Sequence, residues 1–244
     1  MTLSRDQARL HRQAEQLIAL RRDLREHEQQ FVLENWQESA STEQVLDGAF
    51  FTPLSLARCV ASQVVGDRLI DLGAGIGGLS WVCRDRREEG LPPCEVVCVE
   101  KNPEYVRVGR KVLPDATWMC ADILRLDGMD LGGPFDTAIS NPPFGRITRS
   151  GNAPRYTGGL FEFHAIAVAA QLASYGAFII PQTSAPFRTT QQRVIPQQSP
   201  PYERFTKESG ITLETSQGSF DTSFAAGEWR GTVVRTELAN FSPS

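Results

Sequence analysis

Two stretches of this chain gather the groups that a bound molecule would need. The first is Asp71-Leu72-Gly73-Ala74-Gly75-Ile76-Gly77-Gly78, a carboxylate followed by a run of glycines. A glycine-rich turn between a strand and a helix lets the backbone approach a ligand closely and aims helix N–H groups at it. Two further acids, Glu100 and Asp122, fall at the ends of the next two apolar runs. A carboxylate at the tip of the second strand suits a ribose diol, because it accepts two hydroxyl hydrogen bonds. An acid just ahead of the glycine run, two residues before Gly73, is well placed for an ammonium group and badly placed for a pyrophosphate, which argues against NAD. The second stretch is Asn141-Pro142-Pro143-Phe144-Gly145. Two consecutive residues of fixed φ hold an amide and a carbonyl rigidly beside an aromatic face. A tight Pro-Pro turn with no further purpose would explain the prolines but not the flanking Asn and Phe.

The elements that must position these residues follow from the hydrophobic pattern. From Gly48 onward short apolar strands alternate with helical stretches, which predicts a parallel α/β sheet. Strands are expected at Arg68–Leu72, Glu95–Val99, Thr117–Cys120, Phe135–Ser140 and Gly176–Ile180. Helices are expected from Leu79 to about Glu89, after the Asn102 cap with Pro103 at its first position, and from Leu160 to Ser174. Residues 211–238 read as two strands joined by a long loop, an antiparallel edge to the sheet. Pro and Gln crowd residues 186–201, which predicts a loop there. Residues 1–40 contain neither Gly nor Pro and are read as one helix. Its stripe of Leu3, Leu10, Leu17, Leu24 and Phe31 lacks the second apolar position of each heptad, so packing on the domain is favoured over a coiled coil. The expected organisation is an N-terminal helical extension over residues 1–47 and an α/β domain over 48–244, with Leu10, Leu17 and Leu24 buried and the extension dispensable for ligand binding.

Taken together the motifs carry a resemblance. Residues 71–77 resemble motif I of the Rossmann-like S-adenosylmethionine-dependent methyltransferases. Ala49-Phe50-Phe51-Thr52-Pro53 resembles motif X, and Asn141-Pro142-Pro143-Phe144 resembles motif IV of the amino-methylating members. Their order, X then I then IV, resembles that of the small gamma-type N6-adenine DNA methyltransferases. The resemblance implies S-adenosylmethionine as cofactor and a Rossmann-like fold with a mostly parallel sheet, an antiparallel edge strand and an added N-terminal helix. It further implies cofactor contacts from Phe51, Thr52, Pro53, Asp71, Gly73, Gly75, Gly77, Glu100, Lys101, Asp122, Ile123 and Asn141, with no metal. Motif IV has a chemical rationale. An exocyclic or amide nitrogen is a poor nucleophile because its lone pair is delocalised. It attacks a sulfonium methyl only if held in line while acceptors draw on its protons. The Asn141 side-chain oxygen and the Pro142 carbonyl are the expected acceptors, Pro143 stiffens the turn, and Phe144 offers a face on which a flipped base can stack.

The acceptor is expected to be adenine N6 in DNA. Arg146, Arg149 and Arg155 follow motif IV with no acid before Glu162, and guanidinium groups beside a base pocket suit phosphates. The alternatives are RNA methylated at adenine N6 or guanine N2, then a protein glutamine side chain, whose methyltransferases favour Tyr where Phe144 stands. An idle cofactor-binding regulator is a fourth reading, disfavoured by three intact motifs. No target-recognition domain of the kind that restriction-associated enzymes of this type usually carry is expected after the core.

Composition excludes other classes. Among 244 residues 25 are basic and 29 acidic, a formal net charge of −4, so a strongly basic coat protein is ruled out. No apolar run approaches the roughly 20 residues that span a bilayer, and no secretory h-region opens the chain. Five cysteines without a CxxC pair argue against a zinc site or disulfide frame and for a reduced, cytoplasmic setting. A monomer and a homodimer are both compatible with the sequence.

Overall fold

A computed structural model describes residues 4–37, 50–87, 90–191, 193–229 and 234–241. The 47/48 domain boundary, Leu3, Ala49, Glu89, Arg230 and Gly231 lie outside the described residues. Seven strands form one sheet in the order β3-β2-β1-β4-β5-β9-β8. These are β1 (Arg68–Leu72), β2 (Glu95–Glu100), β3 (Thr117–Cys120), β4 (Phe135–Ser140), β5 (Ala173–Pro181), β8 (Glu214–Thr215) and β9 (Thr236–Phe241). The first five pair in parallel, and β9 runs antiparallel against both β5 and β8. The sheet is therefore mostly parallel with an antiparallel edge.

Successive strand residues alternate between two cores because side chains of a strand point to opposite faces. Leu69, Val96 and Cys98 pack with helices α3 (Leu54–Ala61), α4 (Gly78–Cys83) and part of α5 (Pro103–Val112). Ile70, Leu72, Val97 and Val99 face the other way, toward α6 (Phe161–Leu172). Both faces are covered, as a parallel sheet requires. Asn102 caps α5 by accepting from the Glu104 N–H at 2.9 Å, with Pro103 next in line.

Three local expectations are corrected. The N-terminal segment is a helical hairpin, α1 (Arg5–Ile18) and α2 (Glu26–Asn35), rather than one helix. Its turn is closed by Glu28, which accepts from the Arg25 N–H at 2.8 Å and from the Arg22 guanidinium at 2.6 and 2.7 Å. That folds the stripe back on itself. Ala14, Ile18 and Leu24 are buried, while Leu10 and Leu17 stay half-exposed. Second, α4 stops at Cys83, because Arg86 is drawn into bonds with the Gly66 carbonyl and Asp67 at 2.8 and 2.6 Å. Third, residues 186–201 form a hairpin, β6 (Phe187–Thr189) and β7 (Val194–Pro196), and then enter α7 (Pro200–Ser209). Buried Glu237 on β9 accepts from the Thr189 N–H at 3.0 Å and moors the hairpin to the sheet, an anchor 48 residues away in sequence. Among the described residues no helix is long and apolar enough to cross a membrane.

Candidate cofactor and methyl-acceptor site

Strands β1 and β4 lie side by side, but the chain leaves β1 toward β2 and leaves β4 toward β5. Such a reversal opens a crevice at the carboxyl ends of the two strands, where open α/β sheets bind ligands. The Ser140 hydroxyl, donating to the Leu72 carbonyl at 2.5 Å, ties the strand ends together there. The crevice is lined from β1 by Asp71, Gly73 and Gly75, from β2 by Glu100 and Lys101, and beyond β3 by Asp122 and Ile123. Phe51 and Thr52 close one side, and Asn141 and Pro143 the other.

The three acids are bound differently. Asp71 is 1% exposed; its Oδ2 accepts from the Ser80 hydroxyl at 2.7 Å, and its buried Oδ1 has no partner. Burial pushes its carboxyl up to about 7, with the nearby Glu100 charge adding to the rise. Glu100 accepts from the Gly75 N–H at 2.9 Å and the Asn102 N–H at 2.8 Å. Burial raises its pKa as well, and the backbone donors oppose the rise. Asp122 accepts from the Leu124 N–H at 2.9 Å and caps the short turn Ile123–Arg125. Gly75 has φ of +56°, and a Cβ there would stand 3.2 Å from the Phe51 ring. A side chain at this position would be strained and would crowd the wall of the crevice.

The Asn141-Pro142-Pro143-Phe144 turn is held from outside its own strand. The Asn141 amide Nδ2 donates to the Phe50 carbonyl at 2.8 Å. That bond fixes the amide so that Oδ1 is left buried and without a partner. Pro142 is buried and Phe144 half-buried. Phe144 is not part of the crevice lining; it meets Trp229 edge to face, with centroids 6.2 Å apart and planes at 67°. The following loop folds back over the crevice, so that Ile147, Thr148, Arg149 and Ser150 line it. Arg149 also donates to Asn152 Oδ1 at 2.9 Å.

Of the residues expected at the site, the crevice gathers Phe51, Thr52, Asp71, Gly73, Gly75, Glu100, Lys101, Asp122, Ile123, Asn141, Pro143 and Arg149. Pro53 and Gly77 lie outside it, each at the start of a helix: Pro53 caps α3, and Gly77 at φ +87° caps α4. A Cβ on Gly77 would meet the Trp118 ring at 3.1 Å, so this glycine serves packing under the loop. Arg146 and Arg155 are exposed outside the lining. Several lining residues were not assigned in the sequence reading, and two of them stand on helices away from the strand ends. Leu33 of α2 and Tyr105 of α5 both line the crevice, and Trp36 packs on Phe51 and Tyr105 at centroid distances of 6.0 and 5.8 Å. The N-terminal hairpin is therefore part of the crevice wall.

Residues 52–156 match the family model described as methyltransferase small domain. No curated protein sequence matches the chain. Among solved structures, a methyltransferase subunit of a type I restriction-modification system from Streptococcus thermophilus superposes with a TM-score of 0.59 at 16% identity, over 91% of this chain and 51% of its own. A protein from Listeria monocytogenes assigned as a class I S-adenosylmethionine-dependent methyltransferase gives 0.60 at 13% identity, over 95% and 68%. The fold is that of the S-adenosylmethionine-dependent methyltransferases. The chain spans about half the length of the restriction-modification subunit. A third structure, from Pyrococcus horikoshii and assigned as an RNA methyltransferase, gives 0.51 at 18% identity over 89% of this chain and 98% of its own. The family match and the fold together give S-adenosylmethionine as the cofactor. The donor set suits it: an unpartnered buried carboxylate oxygen for a cationic end, a second carboxylate at the β2 tip, and a glycine whose open backbone admits close approach.

Proposed function

We propose that this protein methylates the N6 amino group of adenine in DNA. The observation that carries the reading is the orphaned Oδ1 of Asn141, a buried acceptor aimed by the Phe50 carbonyl and given no partner by the fold. A buried polar atom without a partner is costly, and a site meant to accept an amine proton must leave one free. When bound, S-adenosylmethionine supplies an electrophilic methyl group on sulfur. In this reading Gly73 and Gly75 approach its methionine part, Asp71 Oδ1 takes the ammonium, and Phe51 and Thr52 close that end. Glu100, beside Lys101, takes the ribose hydroxyls, Asp122 the adenine amino group, and Ile123 the adenine face.

The acceptor amine approaches from the motif IV side. Asn141 Oδ1 and the Pro142 carbonyl accept from its two protons, and its lone pair is thereby directed at the methyl carbon. As the N–C bond forms, the sulfur–methyl bond would break with its electron pair staying on sulfur, so the sulfonium would leave as a neutral thioether, and the nitrogen gains positive charge and gives up a proton to solvent. No side-chain base has to remove it beforehand. Phe144, its ring held edge-on by Trp229, offers its face to the flipped base. Arg146, Arg149 and Arg155 on the adjoining loop serve the phosphates. The likeness to the restriction-modification subunit supports DNA, and the likeness to the Pyrococcus protein keeps RNA as the second reading.

The test is to incubate the protein with labelled cofactor and, separately, DNA, RNA and a glutamine-bearing protein, and then to identify the methylated nucleoside or residue. N6-methyladenine from DNA is the expected product. Asn141→Ala should lower kcat on the order of 100- to 1,000-fold, the usual cost of one well-placed transition-state hydrogen bond. Unimpaired transfer by that variant would end the amino-methylation reading.

A further inference from the structure

Helix α6 carries a buried carboxylate that the proposed chemistry does not use. Glu162 is 0% exposed and lies in the first turn of the helix. Its Oε2 accepts from the Gly145 N–H at 2.8 Å, and its Oε1 accepts from the Ser184 hydroxyl at 2.6 Å. The Gly145 carbonyl in turn accepts from the Phe161 N–H at 2.8 Å. Both backbone groups of the residue that ends Asn141-Pro142-Pro143-Phe144-Gly145 are thus tied to the same helix turn. Gly145 sits at φ +80°, a left-handed conformation that reverses the chain directly after Phe144. The second tether, Ser184, belongs to the turn after β5, from which the β6–β7 hairpin departs.

A charged group buried this deeply is retained only where donors satisfy it, and here two donors from separate loops do so. Prolines 142 and 143 stiffen the middle of the motif but cannot fix how it leaves β4, since neither has an N–H to anchor. The first N–H beyond Phe144 is that of Gly145, and Glu162 takes it. We propose that Glu162 is a positioning residue for methyl transfer: through Gly145 it sets the exit of the motif IV turn, and so the placement of the Pro142 carbonyl and the Phe144 ring. This rests on the amino-methylation reading for its activity readout, though not for its structural one.

Three variants test it in the full chain: Glu162→Asp, Glu162→Gln and Ser184→Ala. Asp is one methylene shorter and cannot hold Gly145 and Ser184 together. It should lower kcat about 10- to 100-fold, as misplacements of about an ångström do, while the cofactor Kd by calorimetry stays within about twofold, since Glu162 is outside the crevice lining. Gln keeps an oxygen for Gly145 and an N–H₂ group for the Ser184 oxygen, and should restore kcat to within about threefold of the parent. Ser184→Ala keeps the Gly145 bond and should also retain most of kcat. Hydrogen exchange of peptides covering residues 142–148 should quicken in Glu162→Asp and not in Glu162→Gln, with β4 itself unchanged. Parental kcat and exchange in Glu162→Asp would overturn the proposal. So would equal damage in Asp and Gln, a cofactor Kd that weakens in step with kcat, or loss of folding in both Glu162 variants. If the parent methylates none of the three substrates, the amino-methylation reading has failed, and the exchange contrast alone decides whether Glu162 positions the turn.

Discussion

At the scale of single residues, the strongest signals are two oxygen atoms that the fold leaves unpaired. Asp71 Oδ1 and Asn141 Oδ1 are both buried and both belong to residues that line the crevice. Their residue types were legible in the sequence, because Asp before a glycine run and Asn before two prolines are rare pairings with few structural purposes. Their orientation was not, since it depends on Ser80 and on the Phe50 carbonyl, the latter 91 residues away from Asn141. Asp71 makes the sharper prediction. With its pKa pushed up to about 7, the apoprotein holds a proton there in mildly acidic solution. An unfolded Asp loses that proton near 3.8, so this residue's contribution to stability falls as pH rises from about 4 through 7. A cationic ammonium beside Oδ1 favours the carboxylate, so cofactor binding should release the proton. Affinity should then weaken up to about tenfold per unit as pH falls below 7 and level off above it. Calorimetry between pH 5.5 and 8 checks this, and Asp71→Asn should bind more weakly at pH 8 but lose the pH slope. An Asn variant with the parental slope would remove Asp71 from the ammonium. Phe144 is the second case. Stacking is worth about 1–3 kcal/mol per base, so Phe144→Ala should raise KM for DNA roughly 5- to 150-fold and leave cofactor Kd unchanged, whereas Phe144→Tyr keeps the face and should work.

At the scale of elements, the charges of residues 145–160 are legible in the sequence, but the architecture of that loop is not, because its anchors, Glu162 and His164, sit on the following helix. His164, two residues on from Glu162, is 0% exposed. Its Nδ1 accepts from the Ala153 N–H at 3.0 Å, which leaves Nε2 to donate to the Gly158 carbonyl at 2.9 Å. Only the neutral ring can do both, since His⁺ has no acceptor. Burial lowers its pKa below 6.5, with Arg149 acting in the same direction, while the Gly158 bond and Glu208 oppose it. The sign follows. As pH falls past 6.5 the unfolded chain takes the proton first, so stability is full above 6.5 and is lost progressively below it, down to the folded-state value. Asp71 acts in the opposite sense over the same range, so the check is the difference between parent and variant in thermal melts from pH 5 to 8. His164→Gln should melt lower than the parent at pH 8, and the gap should narrow as pH falls below 6.5; a gap that does not narrow would show that His164 is not the group responsible. The same reasoning explains the β6–β7 hairpin, which the Pro and Gln content disguised as loop. Its short strands do carry strand formers, Phe187, Thr189, Val194 and Ile195, but the flanking Pro and Gln mask them, and Glu237 on β9 moors the hairpin. The five parallel strands, by contrast, were readable because a doubly covered strand is an unbroken apolar run.

At the scale of the whole molecule, the N-terminal segment packs on the α/β domain as its stripe predicts, and where it packs argues that it is needed for cofactor binding. The stripe announced an amphipathic helix, but no pattern within residues 1–40 states what that helix will cover. It covers the Phe51 side of the crevice, the end proposed for the methionine part of the cofactor. Ile76 of the glycine loop and Tyr105, Val108 and Val112 of α5 form one core with Ala14, Ile18, Leu24, Val32, Leu33 and Trp36. Polar anchors fix the hairpin in place. Buried Gln29 accepts from the Trp81 indole at 2.9 Å, and the Lys111 ammonium donates to the Leu20 and Arg22 carbonyls at 2.5 and 2.9 Å. The exposed Arg107–Glu15 and Arg87–Glu26 pairs add little by comparison. Since Leu33 lines the crevice and Trp36 backs Phe51, removing the hairpin should strip one wall from the methionine end. Deleting residues 1–37 should therefore weaken cofactor binding more than tenfold and lower Tm, even where the α/β core still folds. The milder change Trp36→Ala separates the two effects. Losing a buried aromatic costs about 3–5 kcal/mol of stability, yet the loss of affinity should exceed that of a distant core truncation such as Phe205→Ala, which opens its cavity beneath α6 and away from Phe51. Calorimetry and melts on the two variants side by side give the comparison. If Trp36→Ala and Phe205→Ala bound the cofactor equally well, the hairpin would be a stabilising cover rather than a wall of the site.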